Sequence, residues 1–309
     1  FNIIVKGYSG MPTGGDTISI VDGYRYHVFT TLGSANFTLN GTTTVTFLIV
    51  AGGGGTGWSE YHNGGGGAGG VVYGNQISKT AGTYAMVVGD GGSGASSYST
   101  YGDHSGDDST GFGYTAEGGG HGAIYGHPNM SSGGGAAKVG GSGGGGGGNA
   151  GPWAGASSNQ SAYDNSTAAG NVIGYGNAGG TTTGHHGNAS GGGGAGGAGT
   201  GITSNSVRGH GGEGVNMSSI FTTTWGENGW FGGGGGGCQQ GNRSSSASRG
   251  DGGTGGGGDG GTGYSDSGNT NSASHGTDGT GGGAGGNERD FSVAGKNGGS
   301  GIIIVKYAV

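Results

Sequence analysis

Ala51-Gly52-Gly53-Gly54-Gly55 opens a glycine-rich framework that closes at Gly298-Gly299-Ser300-Gly301. Between these points the chain returns to glycine repeatedly, in the runs 64–67, 143–148, 191–194, 232–237 and 255–258. Glycine has no side chain to bury, and ordering its backbone costs about 1–2 kcal/mol per residue. If this region is ordered, we expect backbone hydrogen bonds and close backbone packing to hold it together.

The composition excludes several classes of protein. Glycine makes up 96 of the 309 residues and hydrophobic residues only 28%, which is too few for an ordinary globular core. Collagen is excluded because there are only 3 prolines and the runs 143–148 and 232–237 break any Gly-X-Y period. A flexible glycine-serine linker is an alternative, but single large residues such as Trp58 and Trp153 punctuate the runs.

Charge and hydropathy limit the partners. The net charge is −7 with only 9% charged residues, so we expect no basic patch and no binding of nucleic acid. No apolar run approaches the ~18 residues of a membrane span, so we expect no membrane insertion. Cys238 is the single cysteine, which excludes a disulfide within the chain.

Strand signals concentrate at the two ends of the chain. Asp22-Gly23 predicts a tight hairpin. The continuous apolar end of the run 44–50 predicts a strand buried on both faces. β-branched or alternating runs bounded by turn residues predict the other strands. The predicted strands are 2–6, 17–21, 24–31, 36–39, 44–50, 71–73, 76–79, 84–89, 220–225 and 301–309.

We therefore predict an all-β, glycine-rich fold with essentially no α-helix. Residues 1–90 are predicted to be rich in strands that form a small sheet or sandwich, closed by the C-terminal strand 301–309. Residues 91–300 are predicted to form a central bundle of packed polyglycine II-type helices with extended aromatic and polar loops at its ends. Such a helix has about 3 residues per turn and no internal hydrogen bonds, so neighbouring helices must satisfy its amides and carbonyls.

The motif Ile-Ile-Val-Lys occurs at both ends of the chain, at 3–6 and 303–306. Two β-branched strands can share it by chance. Alternatively, the terminal segments share a sheet within or between chains, which predicts self-association into a homo-oligomer or filament. The assembly residues are then Ile3, Ile4, Val5, Ile303, Ile304 and Val305.

Several segments resemble the glycine-rich domain of phage tail-fibre and marine microbial surface proteins. The resemblance covers most of the chain from about Tyr24, and more distantly it extends to tail-tip adhesins built from packed glycine helices. It implies an extracellular, cell-surface or virion-surface role in which loops bind a host receptor. The strand-rich first 90 residues depart from the compact adhesins. The segments that carry the resemblance are 24–31, 45–55, 64–70, 84–89 and 298–307.

Acidic residues among the glycines suggest calcium as the one cofactor to consider. Carboxylate oxygens are the ligands that calcium prefers, and the segment 259–266 narrowly misses a calcium-binding glycine repeat. Solvated loop carboxylates are the alternative. The candidate calcium ligands are Asp103, Asp107, Asp108, Asp259 and Asp266. The histidines show no spacing typical of a transition-metal site.

Aromatic residues among polar neighbours provide the candidate binding surface. Rigid rings beside Asn, Asp and Ser are typical of surfaces that contact sugars or proteins. Alternatively, the rings cap the ends and edges of the glycine bundle and replace its missing core. The candidates are Tyr98, Tyr101, Phe112, Tyr114, Tyr125, Trp153, Tyr163, Trp225, Trp230 and Phe231.

Asn-X-Ser/Thr sequences mark acceptor patterns for N-linked glycans. Chance explains some of them in a chain this rich in asparagine, serine and threonine. They occur at Asn36, Asn40, Asn129, Asn159, Asn165, Asn188, Asn216 and Asn242.

Two functions follow from these patterns. The first is a non-enzymatic, adhesin-like surface protein whose loops recognise a cell-surface glycan or protein. The second is a structural subunit of an extracellular filament or matrix, which polymerises through terminal strands and glycine packing. We expect no enzyme, because no catalytic constellation of residues has an interpretable spacing.

Overall fold

A computed structural model describes most of the chain. The described residues are 10–58, 62–97, 102–124, 136–148, 152–163, 170–184, 187–239, 249–262, 272–288 and 294–309. They are nearly all β, as predicted, and the helix among them, α1, has 4 residues. None of the described helices has the length and apolar character needed to cross a membrane.

The strands form two larger sheets and two short ribbons. The six-stranded sheet has the order β1-β2-β14-β4-β5-β10, and the four-stranded sheet has the order β3-β6-β7-β8. In chain order the elements are β1 Thr17–Val21, β2 Tyr24–Phe29, β3 Gly33–Leu39, β4 Thr43–Val50, β5 Val71–Lys79, β6 Gly82–Val88, β7 Ser109–Gly111, β8 Tyr114–Ala116, β9 Pro152–Trp153, β10 Asn171–Tyr175, β11 Thr182–Thr183, β12 Val215–Asn216, α1 Ser218–Phe221, β13 Trp230–Phe231 and β14 Ile302–Ala308.

The six-stranded sheet is buried on both faces, which explains its continuous apolar runs. One face packs against the four-stranded sheet, through residues such as Phe47 of β4 and Phe37 of β3. The other face packs against the segment around α1, through residues such as Leu48 and Phe221. Successive residues of β4 alternate between the two clusters, as expected from the period of a strand.

The predicted hairpin is confirmed, and several other strand predictions need correction. Asp22 and Gly23 have φ of 51° and 77°, so both turn residues are left-handed, and β1 pairs with β2 as predicted. The runs 71–73 and 76–79 form one strand, β5, rather than two. The prediction of a strand at 220–225 is wrong, because Ile220 and Phe221 end α1.

The glycine segments form a lattice of threefold helices. Every third amide along a segment bonds to the same neighbouring segment. Gly52 and Gly55, for example, donate to Asp107 and His104 at 3.0 and 2.8 Å. In a helix with 3 residues per turn, every third amide points toward the same neighbouring helix. The observed three-residue period is therefore the period expected of polyglycine II.

The segment 63–70 lies at the centre of the lattice. Its backbone hydrogen bonds to other segments follow the same three-residue period, and the Asn63 side chain adds hydrogen bonds to the carbonyls of Gly57 and Trp58. A threefold helix surrounded by neighbours on all sides can satisfy every amide and carbonyl in this way. The amides of 63–70 donate to segments 117–123, 190–193 and 281–287, and its carbonyls accept from segments 51–54, 142–145 and 235–238.

Chain order does not separate the lattice from the sheets. Segments 51–56 and 63–70, which precede residue 90, run through the lattice. Strands β7, β8 and β10, which follow residue 90, belong to the two larger sheets. The glycine helices therefore extend directly from the strands, and β14 returns from the lattice to the middle of the six-stranded sheet.

The lattice has two different ends. At one end, which we call the sheet end, its segments continue into strands β4, β5 and β14. At the opposite end, which we call the loop end, backbone bridges join His62 to Gly148, and Gln239 to both Asn188 and Thr262. All of these loop-end residues lie within four positions of a segment outside the described residues.

Candidate functional site

The loop end is the candidate functional site because its residues flank eight of the internal segments that lie outside the described residues, which we call connections. Hydrogen bonds and bridges link the residues on either side of these connections to one another across the end of the lattice. The connections are 59–61, 98–101, 125–135, 149–151, 185–186, 240–248, 263–271 and 289–293. One further internal connection, 164–169, instead precedes strand β10 of the six-stranded sheet.

Several predicted site residues lie outside the described residues. Tyr98, Tyr101, Tyr125 and Asp266 belong to loop-end connections, and so do Asn129 and Asn242. Their predicted roles remain predictions. Asn165 and the opening segment Ile3, Ile4 and Val5 also lie outside the described residues.

Three of the predicted binding aromatics pack between the six-stranded and the four-stranded sheets. Phe112 is 7% exposed, and its ring centroid lies 5.2 Å from that of Phe47. The rings of Tyr114 and Tyr163 pack edge to face at 5.4 Å, and the Tyr163 hydroxyl donates to the Thr115 carbonyl at 3.2 Å. These contacts support the alternative role of the rings, as part of the core.

The aromatics near α1 also support the role as core. Phe231 is fully buried in the cluster on the outer face of the six-stranded sheet. Trp225 packs against this cluster with its ring 5.2 Å from that of Tyr26. Trp230 pairs with Asn216 through β13 and β12.

Trp153 is the predicted binding aromatic that the structure places at the loop end. It lies in β9, which pairs with β11 through Thr182. Trp153 is half-buried. A described aromatic ring therefore borders the connections at this end.

Three of the four described candidate calcium ligands, Asp103, Asp108 and Asp259, are engaged with protein groups. Asp103 pairs with Lys138 at 2.8 Å. Partial burial acts to raise the pKa of Asp103, but the hydrogen bonds from Lys138 and Ser105 outweigh it and hold the pKa well below its usual value. Asp108 accepts from the Gly118 amide at 2.7 Å.

Asp259 is similarly engaged, and Asp107 is exposed. Asp259 pairs with Arg249 and accepts a hydrogen bond from the Gly252 amide at 2.9 Å. Among the described residues, these aspartates form no group of three that could hold a metal ion. The calcium prediction gains no geometric support from this part of the chain.

The described glycan acceptors differ in their accessibility. Asn36, Asn159 and Asn216 are exposed. Asn40 is exposed too, but its amide nitrogen donates to the carbonyls of Gly10 and Met11. Asn188 is only 4% exposed and donates to the Asn205 carbonyl at 3.1 Å, which leaves no room for a glycan on the folded chain.

The predicted assembly residues Ile303, Ile304 and Val305 lie in the middle of a sheet. β14 is hydrogen-bonded to β2 on one side and to β4 on the other, and all three side chains are fully buried. A strand from another chain therefore cannot pair with β14 without displacing one of these neighbours. Among the described residues the outer strands of this sheet are β1 and β10, and Ile18 and Ile20 of β1 are 50% and 59% exposed.

One group of three metal-binding side chains is found among the described residues. It consists of His62, Cys238 and Glu288, whose potential ligand atoms all lie within 4.8 Å of one another. His62 Nδ1–H donates to Glu288 Oε2 at 2.9 Å. Burial, and then the charge of Glu288, raises the pKa of the Cys238 thiol well above its usual value.

Sequence reasoning did not find this group because its members span most of the chain. A signal was nevertheless present, since each residue lies at the loop end of a glycine run. His62 lies two positions before the run 64–67, Cys238 directly follows 232–237, and Glu288 follows the glycines of 281–286. Residues at equivalent ends of neighbouring threefold helices meet when those helices pack side by side.

A groove on the sheet side is a second place where a ligand could bind. Its volume is about 460 Å³, and three tyrosines, several hydroxyl and amide groups, and Lys306 line it. Burial lowers the pKa of the Lys306 amine, which lies 4.8 Å from the centre of the Tyr24 ring. The amine also donates a hydrogen bond to the Ile220 carbonyl.

The comparison with protein families agrees with this architecture. A family model described as a glycine-rich domain matches residues 30–308, from the end of β2 through the lattice to β14. No match was found among curated proteins.

Proposed function

The chain belongs to the glycine-rich domain family, and we propose that it is a non-enzymatic recognition protein of the tail-fibre or adhesin type. Its proposed place is an extracellular, cell or virion surface. In this proposal the lattice is a rigid support, and the connections at its loop end bind a cell-surface glycan or protein.

The observation that carries the proposal is the position of the connections. Eight segments of varied, polar sequence are all flanked by the loop end, while the opposite end is occupied by sheets. Binding surfaces are commonly formed by loops on a rigid scaffold, because the scaffold tolerates changes in loop sequence and length. A lattice held together by backbone hydrogen bonds places few demands on the residues of the connections.

The chemistry of the connections suits an uncharged polar ligand. Segments such as 125–135 and 263–271 combine tyrosine with asparagine and serine. Tyrosine contributes a large rigid contact surface at a small cost in conformational entropy, and the short polar side chains contribute adaptable hydrogen bonds. Surface glycans present sugar faces and hydroxyl groups that match both kinds of contact.

A glycan array tests the proposal with three forms of the full chain. The first is the parent, and the second has 125–135 and 240–248 replaced by glycine-serine segments of equal length. The third is a matched control with 164–169 replaced in the same way. We expect the parent to bind at least one class of glycan, the loop-end variant to bind at least about 10-fold more weakly, and the control to bind like the parent.

Three outcomes would contradict recognition at the loop end. One is an array without signal above background for the parent, and another is an equal loss of binding in the control. A third is loss on Tyr24→Ala with no loss in the loop-end variant, which would place the ligand in the groove beside Lys306. Long filaments in electron micrographs of the same preparation would favour the structural alternative, for which β1, an outer strand of the described sheet with Ile18 and Ile20 exposed, is a candidate surface.

A further inference from the structure

We propose that His62, Cys238 and Glu288 form a zinc site at the loop end of the lattice. The proposal goes beyond recognition by the loops and does not depend on it. It assigns a function to three buried side chains. The backbone hydrogen bonds of the lattice form without these side chains.

The three side chains come from three helices that are neighbours in the lattice. His62 precedes the central segment 63–70, Cys238 ends the segment 232–238, and Glu288 ends the segment 281–288. Backbone hydrogen bonds join each of these segments to the other two. The lattice therefore fixes the relative positions of the three side chains.

The separations are close to those of a tetrahedral zinc site. Zinc bonds of about 2.0–2.3 Å at tetrahedral angles place nitrogen, oxygen and sulfur ligands about 3.3–3.6 Å apart. The ligand atoms of the cluster all lie within 4.8 Å of one another, and His62 Nδ1 lies 2.9 Å from Glu288 Oε2. Adjustments of about 1 Å in the side chains are enough to accommodate the ion.

A second observation points to a ligand at the same place. The Glu288 side chain is 6% exposed, and its Oε1 atom is buried without a hydrogen-bond partner in the described part of the chain. Buried acceptors are costly when they are left unpaired, and a cation would satisfy them.

The donor atoms select zinc over calcium. Imidazole nitrogen, thiolate sulfur and a carboxylate oxygen form a borderline-soft set, whereas calcium takes six to eight oxygen ligands. A thiolate and a carboxylate also carry two negative charges, which balance a dication in a buried site. His62 is the ion-pair partner that the described residues provide for Glu288.

Burial argues against a role for the same residues as a hydrolytic triad. A cysteine nucleophile with a histidine base and an orienting carboxylate uses these residue types. All three side chains are buried, however, with His62 and Glu288 at 6% and 7% exposure and Cys238 at 1%. A substrate carbonyl cannot reach the sulfur, whereas a metal ion can be enclosed during folding.

The position of the site suggests what the ion does. Both apolar clusters contact the six-stranded sheet, so neither supports the loop end. The site would tie three helices together there. Glu288 directly precedes connection 289–293, His62 directly follows 59–61, and Cys238 lies two positions before 240–248. A metal ion that binds the folded chain but not the unfolded chain stabilises the folded state through mass action.

Metal titration of the full chain tests the proposal. The probes are Zn²⁺, followed by bound-metal analysis and thermal unfolding, and Co²⁺, followed by its thiolate charge-transfer absorption. We expect one metal ion per chain, a cobalt-thiolate band, and a higher unfolding temperature with zinc. Cys238→Ser and His62→Gln should each weaken binding at least about 100-fold, whereas His104→Gln, a matched change at another buried histidine, should keep it.

The wild-type chain alone can overturn the proposal, so a variant that fails to fold does not obscure the result. A folded wild-type chain that binds no zinc and develops no cobalt-thiolate band contradicts it. So does unchanged binding in folded Cys238→Ser. Retained zinc without a thiolate band would mean a site elsewhere in the chain, and that would overturn the assignment as well.

Discussion

Gly66→Ala is expected to destabilise the protein by about 3 kcal/mol or more, or to prevent folding. A Cβ atom at this position would lie 2.2 Å from the Gly54 carbonyl oxygen and 3.1 Å from the Ala284 amide nitrogen. Both neighbours are backbone atoms of adjoining helices, so no side chain can rotate away. Relieving the contact requires separating helices that are joined by hydrogen bonds of 2.8 Å.

Gly102→Ala is the matched control for this substitution. Among the described residues, no atom outside its chain neighbours lies within 4 Å of the position that a Cβ on Gly102 would occupy, and Gly102 does not need a left-handed backbone. We expect its free energy of unfolding to change by no more than about 0.5 kcal/mol. Urea unfolding followed by tryptophan fluorescence measures both variants. Equal stability of Gly66→Ala and Gly102→Ala would show that the glycines around 63–70 are not closely packed.

Phe47→Ala is expected to destabilise the protein by about 3–5 kcal/mol. Phe47 is fully buried between the two larger sheets, and its ring packs against Phe112 at 5.2 Å and Tyr114 at 5.5 Å. The pocket that holds the ring is completed by Gly74, where a Cβ would lie 2.3 Å from it. Removing the ring leaves a cavity that the hydrogen-bonded strands cannot close.

Ile20→Ala provides the control for Phe47→Ala in the same sheet. Ile20 lies on the edge strand β1 and is 59% exposed, so its removal should cost less than about 1 kcal/mol. Urea unfolding again gives the comparison. If both substitutions lower the free energy of unfolding by the same amount, the interface between the two larger sheets is not the apolar core of the protein.

The strands near the N-terminus could be predicted from sequence because their signals are local. Asp22-Gly23 supplies left-handed turn residues, and the apolar run that ends at Val50 requires burial on both faces. The strand predicted at 220–225 was wrong because tertiary packing competes with local propensity. Phe221 is buried against the six-stranded sheet from within a short helix, a conformation that its β-branched neighbours do not predict.

The sequence predicts that the glycine runs form packed threefold helices, but it does not predict which runs are neighbours. Glycine runs indicate helices that bond to one another, yet runs such as 64–67 and 232–237 look alike and do not reveal their neighbours. For the same reason, the meeting of His62 with Cys238 and Glu288 could not be derived from spacing. The position of connections 59–61, 98–101, 125–135, 149–151, 185–186, 240–248, 263–271 and 289–293 at one end also depends on the pairing of segments, which the sequence does not reveal.

Native-state amide hydrogen exchange tests the central claim, which is that the glycine runs are an ordered lattice. The amides of Gly64 to Gly69 are all hydrogen-bonded to neighbouring helices, whereas Gly102 lies beside a connection. We expect the 64–69 amides to exchange only through global unfolding, with protection equal to the measured stability, and Gly102 to exchange rapidly. Exchange of the 64–69 amides at the rate of an unfolded peptide would contradict the lattice, and with it the rigid support that we propose for the loops.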